Sequence, residues 1–243
     1  MKIFKTINQT QDFINKAKSQ GKTIGFVPTM GALHAGHLSL VKAARQNNDL
    51  VVVSIFVNPI QFNNPEDLKK YPRTLEKDSA MLEQELCDAI FYPSVEEMYP
   101  ETVTKKYDFG VLEHVLEGQF RAGHFNGVAV VVKKLFDIVP AHQAYFGKKD
   151  FQQLAIIRKL VEIEQIPIEI IACDTMRETD GLAMSSRNVR LTEEERNRAS
   201  LIYQTLQFAK DQKNKLQPKD IEEQVLIKLA EFFKPEYFKI ADG

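Results

Sequence analysis

The stretch Phe26-Val-Pro-Thr-Met-Gly-Ala-Leu-His-Ala-Gly-His-Leu-Ser-Leu40 decides the fold. An apolar strand is expected over Thr23 to Val27, running into Pro28. A turn holding Gly31, His34, Gly36 and His37 follows, and a helical pattern begins at about His37. Such a strand–turn–helix junction aims backbone N–H groups and two imidazoles at one point. The start of the helix carries a partial positive charge and unpaired donors, which suits a phosphate. The glycines let a flat or charged ligand approach the backbone closely.

Downstream, Leu38, Val41 and Arg45 continue at helical spacing until Asn47-Asn48-Asp49. Leu50 to Val57 is an apolar run rich in β-branched residues, broken only by Ser54, the pattern of a strand buried on both faces of a parallel sheet. Strand, helix and strand within about thirty-five residues make a βαβ unit. Its second strand ends in Asn58-Pro-Ile-Gln-Phe-Asn-Asn-Pro65. Ligands of open α/β sheets sit beyond the carboxyl ends of the strands, so Asn58, Gln61 and Asn63 are expected on the same rim as His34 and His37. Tyr71-Pro-Arg73 adds a cation.

Upstream, Thr10 to Ser19 reads as a short amphipathic helix, entered directly from a polar N-terminus. Gly21-Lys22-Thr23 looks like the end of a P-loop, but it lacks the earlier glycine and precedes the strand, so it reads as a turn. Further along, Leu75 to Leu86 is a helix with Leu75, Ala80, Leu82 and Leu86 inward, and Ala89 to Tyr92 is a third strand. Glu96 to Gly110 is irregular. Gly118 to Gly127 is a glycine-punctuated loop with Arg121 and His124, and Val128 to Val139 is a buried helix. A fourth strand, Gln143 to Phe146, runs into Gly147-Lys-Lys-Asp150. That is a second strand–turn–helix junction. Its helix, Phe151 to Glu164, carries Leu154, Ile157 and Val161 on one face, with Asp150 placed to cap it. Ile166 to Ala172 is a fifth strand, and Asp180 to Arg187 a polar loop.

The fold class expected is α/β, a Rossmann-like parallel sheet flanked by helices, with a smaller C-terminal α+β domain. The catalytic domain spans 1–174 and the smaller one 175–243. In the latter, Thr192-Glu-Glu-Glu195 is a capping box opening a helix to about Lys213. A second helix runs from about Pro218 to Phe233, and Pro235 to Ala241 starts a strand. A small domain is not expected to stop at Gly243, so the tail reads as truncated.

The 243 residues are 44% hydrophobic and 27% charged, ordinary for a globular protein. The net charge of −1 argues against a dedicated nucleic-acid surface, which needs clustered excess cations. It leaves room for a small anion held by local cations. Cys87 and Cys173 are the two cysteines, with no disulfide framework and no metal-ligand spacing, and a reducing cytoplasm is the simplest reading. No signal core and no run of bilayer length is present in the sequence, so no membrane partner is expected.

One rim thus gathers His34, His37, Asn58, Gln61, Arg121, His124, Lys148, Lys149, Asp150, Gln153, Ser185, Ser186 and Arg187. Such convergent cations and donors suit a triphosphate and the charge that develops as pyrophosphate leaves. No Cys or Ser is flanked by an evident base, so covalent catalysis is not expected. His34 and His37 have no third metal ligand nearby. Taken singly, Lys148-Lys149 is a solvated pair, Ser185-Ser186 a turn, His124 a closure of its loop, and His114 and His142 structural or surface residues.

The His-x-Gly-His turn is similar to that of the HxGH nucleotidyltransferases. Five blocks in order then resemble the pantothenate synthetase (pantoate–β-alanine ligase) family. They are Pro28 to Leu40, Phe56 to Phe62, Arg121 to Val128, Phe146 to Leu154 and Asp180 to Asn188. The resemblance implies that pantoate attacks the α-phosphate of Mg-ATP to give pantoyl adenylate and pyrophosphate. The amine of β-alanine then displaces AMP. It also implies that Met30, Gly31, Ala32, Leu33, His34, Ala35, Gly36 and His37 line the ATP site, with His34, His37 and Lys148 in the catalytic set. His37 would donate a proton or stabilise phosphate. Gly147, Lys148, Lys149 and Asp150 would contact ATP, with either lysine near the phosphates. Met176 would meet adenine through its backbone, and Met184, Ser185, Ser186 and Arg187 would form a mobile clasp. Gln61 and Gln153, with Asn58, would hold pantoate or β-alanine. Magnesium would arrive through ATP rather than on protein ligands, and the family implies a cytoplasmic homodimer. It usually carries some tens of residues more than this chain. Another HxGH adenylyl- or cytidylyltransferase is the alternative, and it would need a different acceptor pocket.

Overall fold

The apolar run that starts at Leu50 is buried throughout, as a central parallel strand requires. In the computed structural model, which describes residues 1–241, the elements follow in order. They are β1 (Lys2–Phe4), α1 (Ile7–Ser19), β2 (Ile24–Thr29), α2 (Ala35–Asn47), β3 (Leu50–Ile55), α3 (Pro65–Lys70), α4 (Leu75–Gln84), β4 (Ala89–Phe91), α5 (Val95–Met98), α6 (Glu117–Phe120), α7 (His124–Ile138), β5 (Gln143–Gly147), α8 (Phe151–Ile163), β6 (Glu169–Cys173), α9 (Glu193–Gln212) and α10 (Pro218–Ala230). The chain divides into two compact units, Met1–Thr175 and the part from Met176 on.

The first unit holds one six-stranded parallel sheet in the order β1-β4-β3-β2-β5-β6. This is the expected α/β class. Successive strands add on one side of β2 and then on the other, so the order reverses between β2 and β5. β2 pairs with β3 along six residues, but with β5 only at Gly25 and Phe26. The two central strands stop pairing before their carboxyl ends, which leaves a crevice at the topological switch point. Pro28 is tolerated in this central strand because the ladder on the β5 side has already ended.

Side chains alternate between two cores, as the period of a strand dictates. Leu50 and Val52 join Phe26, Phe91 and the apolar residues of α7 and α8. Val51, Val53 and Ile55 join Val27, Ile90, Val41 of α2 and Leu82 of α4. α7 buries Val128, Val131, Val132, Leu135 and Phe136, each contributing about 2 kcal/mol relative to exposure.

Several sequence expectations are corrected. Lys2–Phe4 forms an edge strand paired with β4, where no strand was expected. Leu86 is 70% exposed rather than inward, because the helix ends at Gln84 and Leu86 turns to φ +57°. His124 opens α7 rather than sitting in a loop. Asp150 precedes α8 but makes no side-chain cap bond. Among the described residues, Pro235 to Ala241 forms no strand. The second unit contains α9, with the expected Thr192–Glu195 capping box, and α10, packed through Ala209, Ile221 and Val225.

Candidate active site

The turn after β2 is held from beneath. Thr29 donates its hydroxyl to the Ser54 carbonyl at 2.7 Å and accepts the Gly31 N–H at 3.2 Å. Gly31 and Ala32 then both take positive φ, +82° and +50°. A Cβ at Gly31 would lie 2.9 Å from Ile55 Cγ2, so both the backbone angle and the space call for glycine. Asp78, fully buried on α4, accepts the Ala32 and Leu33 N–H groups at 2.9 Å each and the Thr74 hydroxyl at 3.1 Å. Sequence reasoning missed Asp78. The available signal was its place between Leu75 and Leu82, on the helical stripe where periodicity puts a core residue.

The two histidines cap their own helix. His34, the N-cap residue, accepts the Gly36 N–H on Nδ1 at 3.1 Å. His37 Nδ1 accepts the His34 N–H at 3.3 Å, and the rings lie 4.1 Å apart. An Nδ1 that accepts forces the proton of a neutral ring onto Nε2. Burial, then the charges of His34 and Lys149, pull the His37 pKa down to about 3. His37 is therefore a neutral imidazole at physiological pH, offering an Nε2–H donor. This changes the sequence picture of the junction. The N–H groups of Gly31, Ala32, Leu33, His34 and Gly36 are already accepted by side chains. These amides are not open to a ligand, and the His37 Nε2–H is a donor the turn adds.

Beside it lies the loop after β3, with a short 3-10 turn at Pro59–Gln61. Gln61 Nε2 approaches Met30 Sδ at 3.1 Å, which brings turn and loop together as expected. Asn58 is placed differently from the rim position expected for it. It is 1% exposed, donating to Gln61 Oε1 at 3.1 Å and to the Gly127 carbonyl at 3.2 Å, and accepting the Tyr99 hydroxyl at 2.9 Å. His124, buried at the start of α7, bonds the Gln61 carbonyl through Nδ1 at 2.9 Å. A Cβ at Gly127 would lie 2.9 Å from the Gln61 Cα, so glycine lets α7 back directly onto the loop. Asn63 ties the loop to the Ala122 carbonyl at 2.8 Å. A cavity of about 140 Å³ adjoins the turn, lined by Met30, Gly31, Phe56, Val57, Arg73 and Asp78 among others.

Across the crevice, the junction after β5 carries Gly147, Lys148, Lys149 and Asp150. Lys148 pairs with Asp174 at 2.7 Å, and Lys149 with Asp150 at 3.3 Å. Lys149 is the lysine whose charge reaches His37. Gln153 is half-buried on the first turn of α8. Its neighbour Gln152, missed by sequence reasoning, donates to the Leu112 and Val115 carbonyls at 2.7 and 2.8 Å and accepts the Glu117 N–H at 3.0 Å. It thereby pins the segment leading to α6.

Met176, Met184, Ser185, Ser186 and Arg187 belong to the second unit. There Met184 donates its N–H to the Met176 carbonyl at 3.0 Å, and Arg177 bridges Ala183. Arg177 lies over the Tyr203 ring at 4.3 Å, and Asp180 pairs with Arg196. The Arg187 N–H bonds the Ser185 hydroxyl at 3.2 Å. Among the described residues no group of three or more His, Cys, Asp or Glu side chains is arranged to hold a metal ion.

Comparison with known proteins gives a consistent picture. The family described as pantoate-beta-alanine ligase matches residues 2–243. The chain is 51% identical over 247 residues to a pantothenate synthetase of Bacteroides fragilis and 49% identical over 249 residues to that of Porphyromonas gingivalis. In each case it is covered completely and spans 87% of the relative. Among solved structures, a pantothenate synthetase of Thermus thermophilus superposes with a TM-score of 0.89 at 41% identity, covering 96% of this chain and 83% of that one. A pantoate-beta-alanine ligase of Francisella tularensis, complexed with beta-gamma ATP and beta-alanine, superposes at 0.84 with 40% identity, covering 94% and 86%. A signature turn of this construction, on this sheet, in a chain matched along its length, has one family reading: the chain belongs to the pantoate–β-alanine ligase family.

Proposed function

We propose that the ligation of pantoate with β-alanine proceeds in two steps at the β2–β5 crevice. In the first, a pantoate carboxylate oxygen attacks the α-phosphorus of ATP. The bond to the bridging oxygen breaks, pyrophosphate leaves and pantoyl adenylate remains. In the second, the uncharged amine of β-alanine attacks the activated carbonyl carbon. The carbon–oxygen bond to phosphate breaks, the nitrogen loses a proton, and pantothenate and AMP depart. The observation that carries this reading is the pair of Nδ1-engaged imidazoles at the end of β2, with His37 neutral and Lys149 near enough for its charge to act on it. Fixed neutral donors stabilise charge developing on phosphate without reorganising.

In this reading Met30 to His37 and Gly147 to Asp150 line the ATP site, with Lys149 rather than Lys148 beside the phosphates. In the second unit, Met176, through its backbone, and Met184 to Arg187 are the residues proposed to contact the nucleotide. Gln61 and Gln153 hold pantoate, and Asn58 orients Gln61 without touching substrate. The Francisella ligase bound to ATP and β-alanine supports ATP as the energy source. Magnesium belongs to this proposal as a companion of the triphosphate. The described residues supply no ligand cage for it, and no step is drawn through it. A homodimer in the cytoplasm completes the proposal. No helix among the described residues is long and apolar enough to cross a membrane.

The test is mass spectrometry after mixing the protein with ATP, magnesium and pantoate, with and without β-alanine. Pyrophosphate and an enzyme-held acyl adenylate are expected without the amine, and pantothenate plus AMP with it. Pyrophosphate release that requires β-alanine would overturn the two-step order.

A further inference from the structure

We infer that Tyr99 is a positioning residue for recognition of the acid substrate, acting through Asn58 on the amide of Gln61. The inference rests on the proposed role of Gln61 in holding pantoate.

Two backbone groups of unambiguous polarity settle how Asn58 is turned. The Gly127 carbonyl can only accept, so it faces Asn58 Nδ2, and the Ile60 N–H can only donate, so it faces Oδ1. The Gln61 atom that meets Asn58 Nδ2 is then its oxygen, at 3.1 Å. With Oε1 engaged beneath the loop, Gln61 turns its NH2 group toward Met30. The pocket is therefore offered donors. A carboxylate, hydroxyl or carbonyl oxygen is welcome there, and an ammonium group is not.

Tyr99 holds the far end of this chain. Its hydroxyl donates to Asn58 Oδ1 at 2.9 Å. The Ile60 N–H that shares this oxygen is longer, at 3.4 Å, so Tyr99 supplies the stronger restraint. The ring is fixed edge-on to Phe56 at 6.0 Å, and the backbone by its N–H to the Val95 carbonyl at 2.7 Å. Burial pushes the phenol well above its ordinary pKa, which keeps the hydroxyl a donor across the working pH range. Without that donor, Asn58 Oδ1 keeps only the long Ile60 N–H, and the amide that holds Gln61 Oε1 is restrained more weakly.

The experiment compares steady-state constants for pantoate and ATP in wild type, Tyr99→Phe, Gln61→Ala and the double variant, with thermal unfolding measured alongside. Tyr99→Phe keeps the ring and removes one hydrogen bond. It is expected to raise KM for pantoate by about 5- to 30-fold and leave that for ATP within about twofold. In the Gln61→Ala background it is expected to add nothing. Equal changes for both substrates, or a full effect in the absence of Gln61, would overturn the relay. If Gln61→Ala leaves KM for pantoate unchanged, the role of Gln61 itself falls, and the inference with it. If Gln61→Ala raises it and Tyr99→Phe does not, only the relay falls.

Discussion

At the end of β2 most of the turn's backbone donors are taken by side chains of the turn and of α4, whereas at the end of β5 the turn leaves its helix without a side-chain cap. Both are strand–turn–helix junctions flanking one crevice, and both read in sequence as phosphate sites. The first is closed by Asp78 from below and by His34 and His37 from above. The second has Asp150 in the capping position, but that carboxylate pairs with Lys149. A helix start can thus meet phosphate in two ways: through side chains that its own amides have oriented, or through the dipole and a nearby cation. In the proposed reaction the first would give fixed direction at the phosphorus, and the second would give charge.

The sharpest way to break this contrast is His37→Ala. If the imidazole rather than the amides meets the developing charge, turnover falls by about 10²-fold or more while circular dichroism shows the fold intact. Near-normal turnover in a folded variant would return the role to the backbone. A smaller effect separates the two lysines. Lys149→Ala is expected to lower kcat/KM for ATP by about tenfold or more, and Lys148→Ala by less than about threefold, because Lys148 is turned to Asp174. The reverse ranking would move the triphosphate to the other side of the junction.

The smallest effect is on stability. His37 titrates near 3 in the folded chain and near the ordinary 6.5 when unfolded. Between those values the unfolded chain binds a proton that the folded chain refuses. The stabilising contribution is therefore complete above about pH 6.5 and is lost as pH falls toward 3. Chemical denaturation at pH 7 and pH 4.5 should show wild type losing more stability than His37→Gln. Parallel losses would mean that the fold does not depress this ring.

Much of the site was legible because it is local. Gly31, His34, Gly36 and His37 lie within seven residues, and their spacing puts them on one turn whatever surrounds it. Gln61 was legible because a buried β-branched run must end on the ligand rim. Asp78 was not, since a carboxylate in a helix reads as solvent-facing unless its partners are known, and those partners lie 45 and 46 residues away. The burial of Asn58 was hidden for the same reason: Tyr99 and Gly127 come from two later segments. β1, three residues long, is too short to show a period.

By itself the sequence determined the parallel α/β class, the two junctions and the family, because alternation, turn chemistry and motif order are properties of neighbours along the chain. Only the tertiary structure decided what those groups can do. Burial keeps His37 neutral with its proton on Nε2, Asp78 fills two of the amides that a phosphate was expected to take, and Asn58 turns Gln61 so that it shows its NH2 group. Proton position and amide orientation follow from which buried donor meets which acceptor, and those pairs form when distant segments pack.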